Sequence, residues 1–217
     1  MSGSFAAQPK GLIVPLYNYD ANIDGLIAAK QHYPSVDIIA ILNPDSGPGD
    51  AKDDHWTGVV GKLHAAHIRV VGYVDTAYAG VSQSDADSRI DMYYNWYGVD
   101  GIFFDDATPD NHDYYQALTH HAKTGAPGKL SIINPGAAVP GEYADAADIV
   151  IVYENDAVPS GIETSGLPSS HVGVLVHGTD DSGSVFDAVK DSAGYVYTSP
   201  DWGSVAPDIV DQAKRMS

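Results

Sequence analysis

Eight short apolar runs recur along the chain, and stretches with helical periodicity separate most of them. Near-continuous runs such as LIVPLY and DIIAIL are typical of parallel strands that are covered on both faces. The predicted strands are 11–17, 37–42, 68–74, 101–104, 129–133, 148–153, 172–176 and 195–198. The predicted helices are 22–33, 54–67, 85–97, 111–124, 184–192 and 204–216, with shorter partial turns around 140–146 and 159–167.

Eight strands that alternate with helical connections predict an α/β fold, a single compact (β/α)8 barrel of the TIM type over residues 11–217. An open doubly wound sheet is the alternative, although it would not need all eight repeats. The first ten residues, MSGSFAAQPK, lack the charged and apolar segments of a signal peptide, so we expect a disordered leader there. No stretch reaches the roughly 18 apolar residues of a membrane span, which predicts a soluble protein.

The chain is strongly acidic, with a net charge of −18 that arises from 29 acidic residues against 11 Lys and Arg. Such a surface repels nucleic acid and anionic membranes, so neither is an expected partner. It is either a solubilising surface or one that attracts a cationic substrate. We expect the protein to be a monomer.

In a (β/α)8 barrel the catalytic groups collect at the mouth, the end where the strands run into the following loops. Here every predicted strand exit offers a polar or ionisable side chain. These are Asn18, Asn43, Asp75, Asp105 with Asp106, Asn134, Glu154, His177 and Asp201. A role in a loop or as a helix cap could explain any one of these residues. It explains less easily why every strand exit carries one.

Acidic side chains end the fourth and sixth predicted strands, in GIFFDD and DIVIVYE. Neighbouring side chains on a strand point to opposite faces, so one of Asp105 and Asp106 should face the mouth. Only one strand separates these acids from Glu154, so the carboxyl groups can reach the separation of roughly 5–9.5 Å found in glycosidases. We expect Asp105 to be the nucleophile or base and Glu154 the general acid with a raised pKa, or the two roles exchanged. Asp106 either positions one of them or caps the following helix.

Aromatic side chains accompany the strand exits, and flat rings with polar edges suit the faces of sugars. They are Tyr17, Tyr19, Tyr73, Tyr78, Tyr153, Tyr197, Trp202 and, at the margin, Trp56. The expected substrate-binding residues are Tyr17, Asn18, Asn43, Tyr73, Asp75, Asn134, His177 and Trp202. The exits carry no lysine, the first strand has no His-x-His, and nucleophile-elbow and dinucleotide motifs are missing, so no metal or cofactor is expected.

Six sequence landmarks occur in a fixed order from about residue 11 to 203. They are PLYNY at 15–19, LNPDSGPG at 42–49, GYVDTAYA at 72–79, GIFFDD at 101–106, INPG at 133–136 and IVYE at 151–154. With these landmarks the chain resembles the spherulin-4-like family, which includes glycoside hydrolases of family 135. The resemblance implies a (β/α)8 barrel that cuts galactosaminogalactan, an α-1,4-linked, partly N-acetylated galactosamine polymer, in an endo-acting manner. It also implies a secreted or cell-surface location.

The resemblance assigns the acidic pair of the family to Asp105 and Asp106, and its glutamate to Glu154. Asp106 stands where the family usually has Glu, and Asp75 where we would expect His. A non-catalytic carbohydrate-binding barrel is therefore one alternative, and a hydrolase or lyase that acts on an unrelated small molecule is another. A deacetylated galactosamine polymer is cationic, so an acidic mouth would concentrate it.

Overall fold

The computed structural model describes residues 10–19, 21–126 and 128–217. Eight parallel strands follow one another around a closed barrel, and β8 pairs with β1. They are β1 (Gly11–Leu16), β2 (Asp37–Leu42), β3 (Arg69–Asp75), β4 (Gly101–Asp105), β5 (Leu130–Ile133), β6 (Ile149–Asn155), β7 (Val172–His177) and β8 (Tyr195–Ser199). The predicted (β/α)8 barrel is confirmed, and the open sheet is wrong. The leader expected at 1–10 lies outside the described residues except for Lys10.

Six α-helices connect the strands. They are α1 (Ile23–His32), α2 (Asp54–Ala65), α3 (Gln83–Tyr97), α4 (His112–Lys123), α5 (Ser182–Val189) and α6 (Ile209–Arg215). After β5 and β6 the connections contain only 3-10 turns, at Gly141–Asp145 and Ser169–His171. The largest error in the predicted bounds is the start of the last helix, which was expected at 204. Pro207 disfavours helical geometry at the residue before it, so α6 begins only after Asp208.

The strands are buried on both faces, which explains their near-continuous apolar sequences. All six residues of β1 are buried, and side chains of the strands form one core with the inner faces of the helices. Four helices start at the mouth with a side chain that accepts a backbone N–H of the first turn, namely Asn22, Asp53, Ser82 and Asp181. In the described segments, no helix has both the length and the apolar character needed to cross a bilayer.

The base of the barrel, the end formed by the first residues of the strands, is held by aspartates that precede β4 and β6. Asp100 accepts hydrogen bonds from the backbone N–H of Val70 (2.9 Å) and from His64 Nε2 (2.9 Å). Asp148 accepts hydrogen bonds from the backbone N–H of Ser131 (2.9 Å) and from Lys123 Nζ (2.7 Å). Each aspartate thus joins its own strand to the preceding strand and to the end of a helix.

Candidate active site

Three polar side chains from neighbouring strands meet at the mouth. Asp105 is the last residue of β4, Asn134 follows β5 directly, and Glu154 lies one residue before the end of β6. Asn134 Nδ2 donates hydrogen bonds to Asp105 Oδ1 (2.6 Å) and to Glu154 Oε2 (2.6 Å). Because one nitrogen makes both bonds, these two carboxylate oxygens can be no further apart than twice that distance.

The turn after β5 fixes the orientation of the Asn134 amide. Asn134 Oδ1 accepts the backbone N–H of Gly136 (3.1 Å), so the NH2 group must point towards the two acids. Gly136 has a φ of 62°, and a Cβ there would lie 3.4 Å from the Cβ of Glu154. Glycine at this left-handed position lets the turn pass close to β6. The INPG sequence is therefore what places the amide between the carboxyl groups.

An irregularity in β6 accompanies the placement of Glu154. The register of β6 against β7 shifts between Ile151 and Tyr153, as it does at a β-bulge. Bulges are enriched beside active sites because they redirect the side chains that follow. The apolar run IVIVY gives no indication of this shift, so sequence reasoning missed it.

Asp105 is surrounded by neutral hydrogen-bond donors. Besides Asn134, which donates to its carboxylate, the hydroxyl of Tyr73 and the backbone N–H of Asp106 act to lower the pKa of Asp105. Among the residues that the structure describes, no Lys, Arg or His nitrogen lies within 4.0 Å of this carboxylate. Burial raises the pKa of Asp105 above its ordinary value, and the hydrogen bonds from Tyr73 and Asn134 partly offset that rise.

Glu154 has fewer neighbouring hydrogen-bond donors than Asp105, and its pKa is raised further. Burial raises the pKa of Glu154 from 4.5 to about 7, the hydrogen bond from Asn134 opposes this, and the charges of Asp105 and Asp106 add to it. The two buried carboxyl groups therefore differ in environment. Three neighbouring donors lower the pKa of Asp105 and so favour its ionised form, whereas Asn134 is the one donor that lowers the pKa of Glu154.

The loop after β3 has an unusual backbone. Ala77, Tyr78 and Ala79 are consecutive non-glycine residues with φ of 45°, 57° and 65°, and Asp106 across from them has a φ of 47°. Left-handed conformations are unfavourable for such residues and persist only where neighbouring contacts hold them. Sequence reasoning missed this turn, since only Gly80 in that stretch is a residue that favours left-handed geometry.

Hydrogen bonds join this loop to the end of β4. The Thr76 hydroxyl donates to the carbonyl oxygens of Asp105 (2.8 Å) and Asp106 (2.9 Å), and the Tyr78 N–H donates to that of Asp106 (2.6 Å). The Tyr78 hydroxyl also lies near the exposed Asp106 carboxylate, whose charge raises the pKa of Tyr78. Asp106 does not cap α4, because the N-cap of that helix is Asn111.

Three of the expected substrate-binding residues hold loops of the mouth. Asn18 Nδ2 donates to Ser204 Oγ (2.9 Å), Asn43 Oδ1 accepts the N–H of Gly47 (2.8 Å), and Asp75 Oδ1 accepts the N–H of Ala77 (2.7 Å). Each side chain thus has a local partner in the loop structure. Contact with substrate remains a prediction for all three.

The aromatic residues divide into those beside the acids and those in the core. Tyr17 packs edge-to-face on Tyr73 at 5.5 Å, and the charges of Asp105 and Glu154 add to the effect of burial in raising the pKa of Tyr17. His177 packs against Trp202 at 3.9 Å between ring centroids, with the two rings tilted by 32°, and burial lowers the pKa of His177. Trp56 and Tyr197 are buried, since Trp56 lies on the inner face of α2 and the Tyr197 hydroxyl donates to the carbonyl of Ser204 (2.6 Å). They pack beneath the exposed rings of the mouth.

Comparison with known sequences identifies a family. The sequence profile of spherulation-specific family 4 matches residues 11–207. Spherulin-4 of Physarum polycephalum is 35% identical over 155 residues, which are 69% of this chain and 46% of that protein. The match thus spans less than half the length of this relative.

Comparison with solved structures identifies the same barrel. Sph3 of Aspergillus clavatus, solved in complex with GalNAc, superposes with a TM-score of 0.81 at 22% identity, covering 96% of this chain and 98% of that one. The C-terminal domain of a putative chitinase from Desulfitobacterium hafniense gives a TM-score of 0.57 at 13% identity, covering 79% and 66%. At these identities the likeness establishes the fold.

Proposed function

This chain belongs to spherulation-specific family 4, and on that premise we propose that it is an endo-acting glycoside hydrolase that uses Asp105 and Glu154. The observation that carries the proposal is the pair of buried carboxyl groups joined by the single amide of Asn134 at the mouth of the barrel. Paired carboxyl groups in one cleft are the usual machinery of glycosidic bond hydrolysis.

The different surroundings of the two acids support different roles. Three neighbouring donors favour the ionised form of Asp105, which suits a nucleophile. A pKa of about 7 leaves Glu154 partly protonated near neutral pH, which suits a general acid. Asp106, exposed beside them and near the Tyr78 hydroxyl, would position one of the acids or the substrate.

The separation of the acids supports retention of the anomeric configuration. Their bridged oxygens lie about 5 Å apart at most, which matches retaining enzymes and is shorter than the roughly 6.5–9.5 Å of inverting ones. Asp105 would attack the anomeric carbon while Glu154 gives its proton to the leaving oxygen, forming a glycosyl ester. Glu154 would then take a proton from water as that water cleaves the ester and frees Asp105.

The proposed substrate is a polymer of α-1,4-linked galactosamine and N-acetylgalactosamine. The complex of Aspergillus clavatus Sph3 with GalNAc supports an N-acetylgalactosamine-containing ligand. Deacetylated units are cationic, and the net charge of −18 would attract them. An enzyme with this substrate would act outside the cell or at its surface.

Digestion of partly deacetylated galactosaminogalactan tests the proposal. Wild type, Asp105→Asn and Glu154→Gln would be compared by mass spectrometry of released oligosaccharides, and NMR of the first product would report its anomeric form. We expect release by wild type alone, with the α-anomer formed first. Equal release by all three proteins would refute the assignment of the acids, and initial β-product would refute retention.

A non-catalytic carbohydrate-binding barrel is the second candidate. The observation in its favour is Asp106, which is one methylene shorter than the usual family residue and has its carboxylate engaged by Tyr78. Calorimetry with N-acetylgalactosamine oligosaccharides distinguishes the two candidates. Binding by wild type without any turnover would favour the binding protein, and turnover would exclude it.

A further inference from the structure

Two pairs of aromatic side chains lie along the part of the mouth that leads away from Glu154. His177 ends β7 and packs against Trp202, which follows β8, at 3.9 Å between ring centroids and an interplanar angle of 32°. Tyr19 follows β1 and stacks on His55, in the first turn of α2, at 3.8 Å. Beside these histidines, Trp202 remains 47% and Tyr19 55% exposed.

Several contacts hold the Tyr19 ring in place. His55 Nε2 donates to the carbonyl oxygen of Tyr19 (3.1 Å), which requires the proton to be on Nε2. Asp53 accepts the N–H of His55 (2.8 Å), and the buried ring of Trp56 packs edge-to-face against Tyr19 at 5.8 Å. A ring that is already ordered loses little side-chain entropy when a ligand stacks on it.

The loops that carry Trp202 and Tyr19 are fastened together. Asn18 donates to Ser204 Oγ (2.9 Å), and the N–H of Tyr17 donates to the carbonyl of Gly203 (3.1 Å). A Cβ at Gly203 would lie only 2.6 Å from the Cβ of Tyr17, so glycine is required for this approach. The two exposed rings therefore have a fixed spacing along one wall of the mouth.

A sugar ring is the ligand that fits these exposed faces. One face of each ring is free, and a pyranose presents C–H groups to such a face while its hydroxyl groups stay in water. A protein partner would need a contiguous apolar surface. In the described part of the chain the large exposed hydrophobic side chains in loops of the mouth are Tyr19, Tyr78, Val158 and Trp202, each from a different loop.

Tyr19 and the two acids follow strands on opposite sides of the barrel. Strand spacing of about 4.8 Å and a tilt of about 36° give an eight-stranded barrel a diameter on the order of 15 Å. β1 lies across the barrel from β5, on whose flanks Asp105 and Glu154 stand. That span exceeds the length of one hexose unit, whereas Trp202 lies between the two positions around the mouth.

We propose that the free face of Tyr19, backed by His55, is a distal subsite that stacks on a pyranose ring of the same polymer, several units from the cleaved linkage and past Trp202. The identity of the polymer rests on the proposed function, but the stacking itself does not depend on catalysis. The subsite requires that affinity rise with chain length and that Tyr19 contribute to long ligands alone.

Calorimetry on the Asp105→Asn protein tests the subsite without turnover. The ligands are α-1,4-linked N-acetylgalactosamine oligosaccharides, from the disaccharide to the octasaccharide. Each is added to Asp105→Asn alone and to Asp105→Asn that also carries Tyr19→Ala, Tyr19→Phe or His55→Ala. We expect Tyr19→Ala to weaken octasaccharide binding about three- to tenfold and to leave the disaccharide unchanged. Tyr19→Phe keeps the ring and is the matched control, expected to bind the octasaccharide as before, while His55→Ala should give an intermediate loss.

The outcomes test the subsite separately from the proposed hydrolase activity. Equal effects of Tyr19→Ala on short and long ligands, or no effect on either, would overturn the subsite even if wild type hydrolyses the polymer. A length-dependent loss would support the subsite even if wild type proves unable to hydrolyse it. No binding of any oligosaccharide would overturn both proposals. Thermal melting of each variant verifies that the barrel remains folded.

Discussion

The two ends of the barrel use acidic residues in opposite ways, and strands β4 and β6 show this directly. Each has an aspartate just before its first residue, Asp100 or Asp148, and an acid at or near its end, Asp105 or Glu154. The base aspartates accept backbone N–H groups and pair with His64 or Lys123. At the mouth the acids receive only neutral donors and have raised pKa values.

This difference separates stability from chemistry within single strands. A carboxylate that is paired with a cation and with a backbone N–H stabilises the fold. A buried carboxyl group without a cation destabilises the folded state when it ionises, and such groups are typical of catalytic sites. The contrast agrees with the general division of (β/α)8 barrels into a stabilising base and a catalytic mouth.

The largest expected effect comes from exchanging Asp for Asn at the two ends of β4. Asp105→Asn should lower kcat/KM on the galactosamine polymer by about 10³-fold or more, because the proposed nucleophile is lost. Asp100→Asn should leave kcat/KM within about threefold and lower the free energy of unfolding by about 1 kcal/mol, because the carboxylate that bonds His64 Nε2 and the N–H of Val70 is lost. Steady-state kinetics and urea unfolding of both variants measure the contrast. A large fall in kcat/KM for Asp100→Asn would break the comparison.

A smaller effect is expected from removing the amide between the acids. Asn134→Ala should lower kcat/KM by about 10²-fold, since both carboxyl groups lose their common positioning partner. The Asn134 hydrogen bonds lower the pKa of Asp105 and of Glu154, so both pKa values should rise in the variant. Asp105 must be ionised and Glu154 protonated, so both limbs of the pH profile of kcat/KM should move to higher pH.

The matched control for this prediction lies on the same strand. Ser131 at the base of β5 is buried and bonds Asp148 rather than the active-site acids. Ser131→Ala should therefore leave the pH profile of kcat/KM in place. A profile that moves equally in both variants would indicate a general change in the barrel instead of a role for the Asn134 amide.

The strands and the acids were accessible from the sequence, for physical reasons. Parallel strands covered on both faces require apolar runs, and these runs located all eight strands within about two residues. The acids that end two of the runs indicated Asp105 and Glu154. The link between them through the Asn134 amide was not accessible, because a position on a strand does not give the direction of the side chain. Asn134 was therefore expected to bind sugar, whereas its amide lies on both carboxylates.

Other features depended on contacts that no local pattern encodes. The left-handed turn at Ala77–Ala79 is held by hydrogen bonds that the loop donates to carbonyl oxygens at the end of β4, some thirty residues further along the chain. Trp56 was expected at the margin of the mouth because it follows a strand exit, but the inner face of α2 buries it. Sequence periodicity thus predicted the elements better than it predicted which loop residues point into the mouth.

Glu154→Gln should make the protein more stable at alkaline pH while it abolishes hydrolysis. The pKa of Glu154 is about 7 in the folded protein against 4.5, so the folded state binds this proton more tightly than the unfolded state. The stability that this proton provides is complete below pH 4.5 and is lost as the pH rises to about 7. At pH 8 the variant should gain about 1–3 kcal/mol, or roughly 3–9 °C in Tm.

The same measurement at acid pH sharpens the comparison between the ends. Below pH 4.5 the gain of Glu154→Gln should vanish, because Glu154 is then protonated in both states. Asp148→Asn, at the base of the same strand, should instead lower Tm at pH 8, because its ion pair with Lys123 is lost. Calorimetric melting at pH 4 and pH 8 measures both. A lower Tm for Glu154→Gln at pH 8 would contradict the prediction that ionised Glu154 destabilises the folded protein.

The smallest expected effect concerns the exposed rim of the mouth. Tyr78→Phe removes the hydroxyl that lies near the Asp106 carboxylate but keeps the backbone N–H that holds the turn. We expect kcat/KM to fall about two- to fivefold and Tm to stay constant, since a solvent-exposed polar contact contributes little to folding. Tyr114→Phe is the matched control, because its hydroxyl bonds the carbonyl of Val81 (2.9 Å) at the end of the same loop, away from the acids.

The ionisation of Tyr78 provides a readout that a purely structural role would not change. The charge and hydrogen bond of Asp106 raise the pKa of Tyr78, so Asp106→Asn should lower that pKa, as measured by the ultraviolet absorbance of tyrosinate against Tyr78→Phe as the blank. If Tyr114→Phe lowers kcat/KM as much as Tyr78→Phe does, activity depends on the loop as a whole and the contact between Tyr78 and Asp106 has no specific role. A fall specific to Tyr78→Phe, together with the lowered pKa in Asp106→Asn, would extend the functional part of the mouth from the buried acids to its exposed rim.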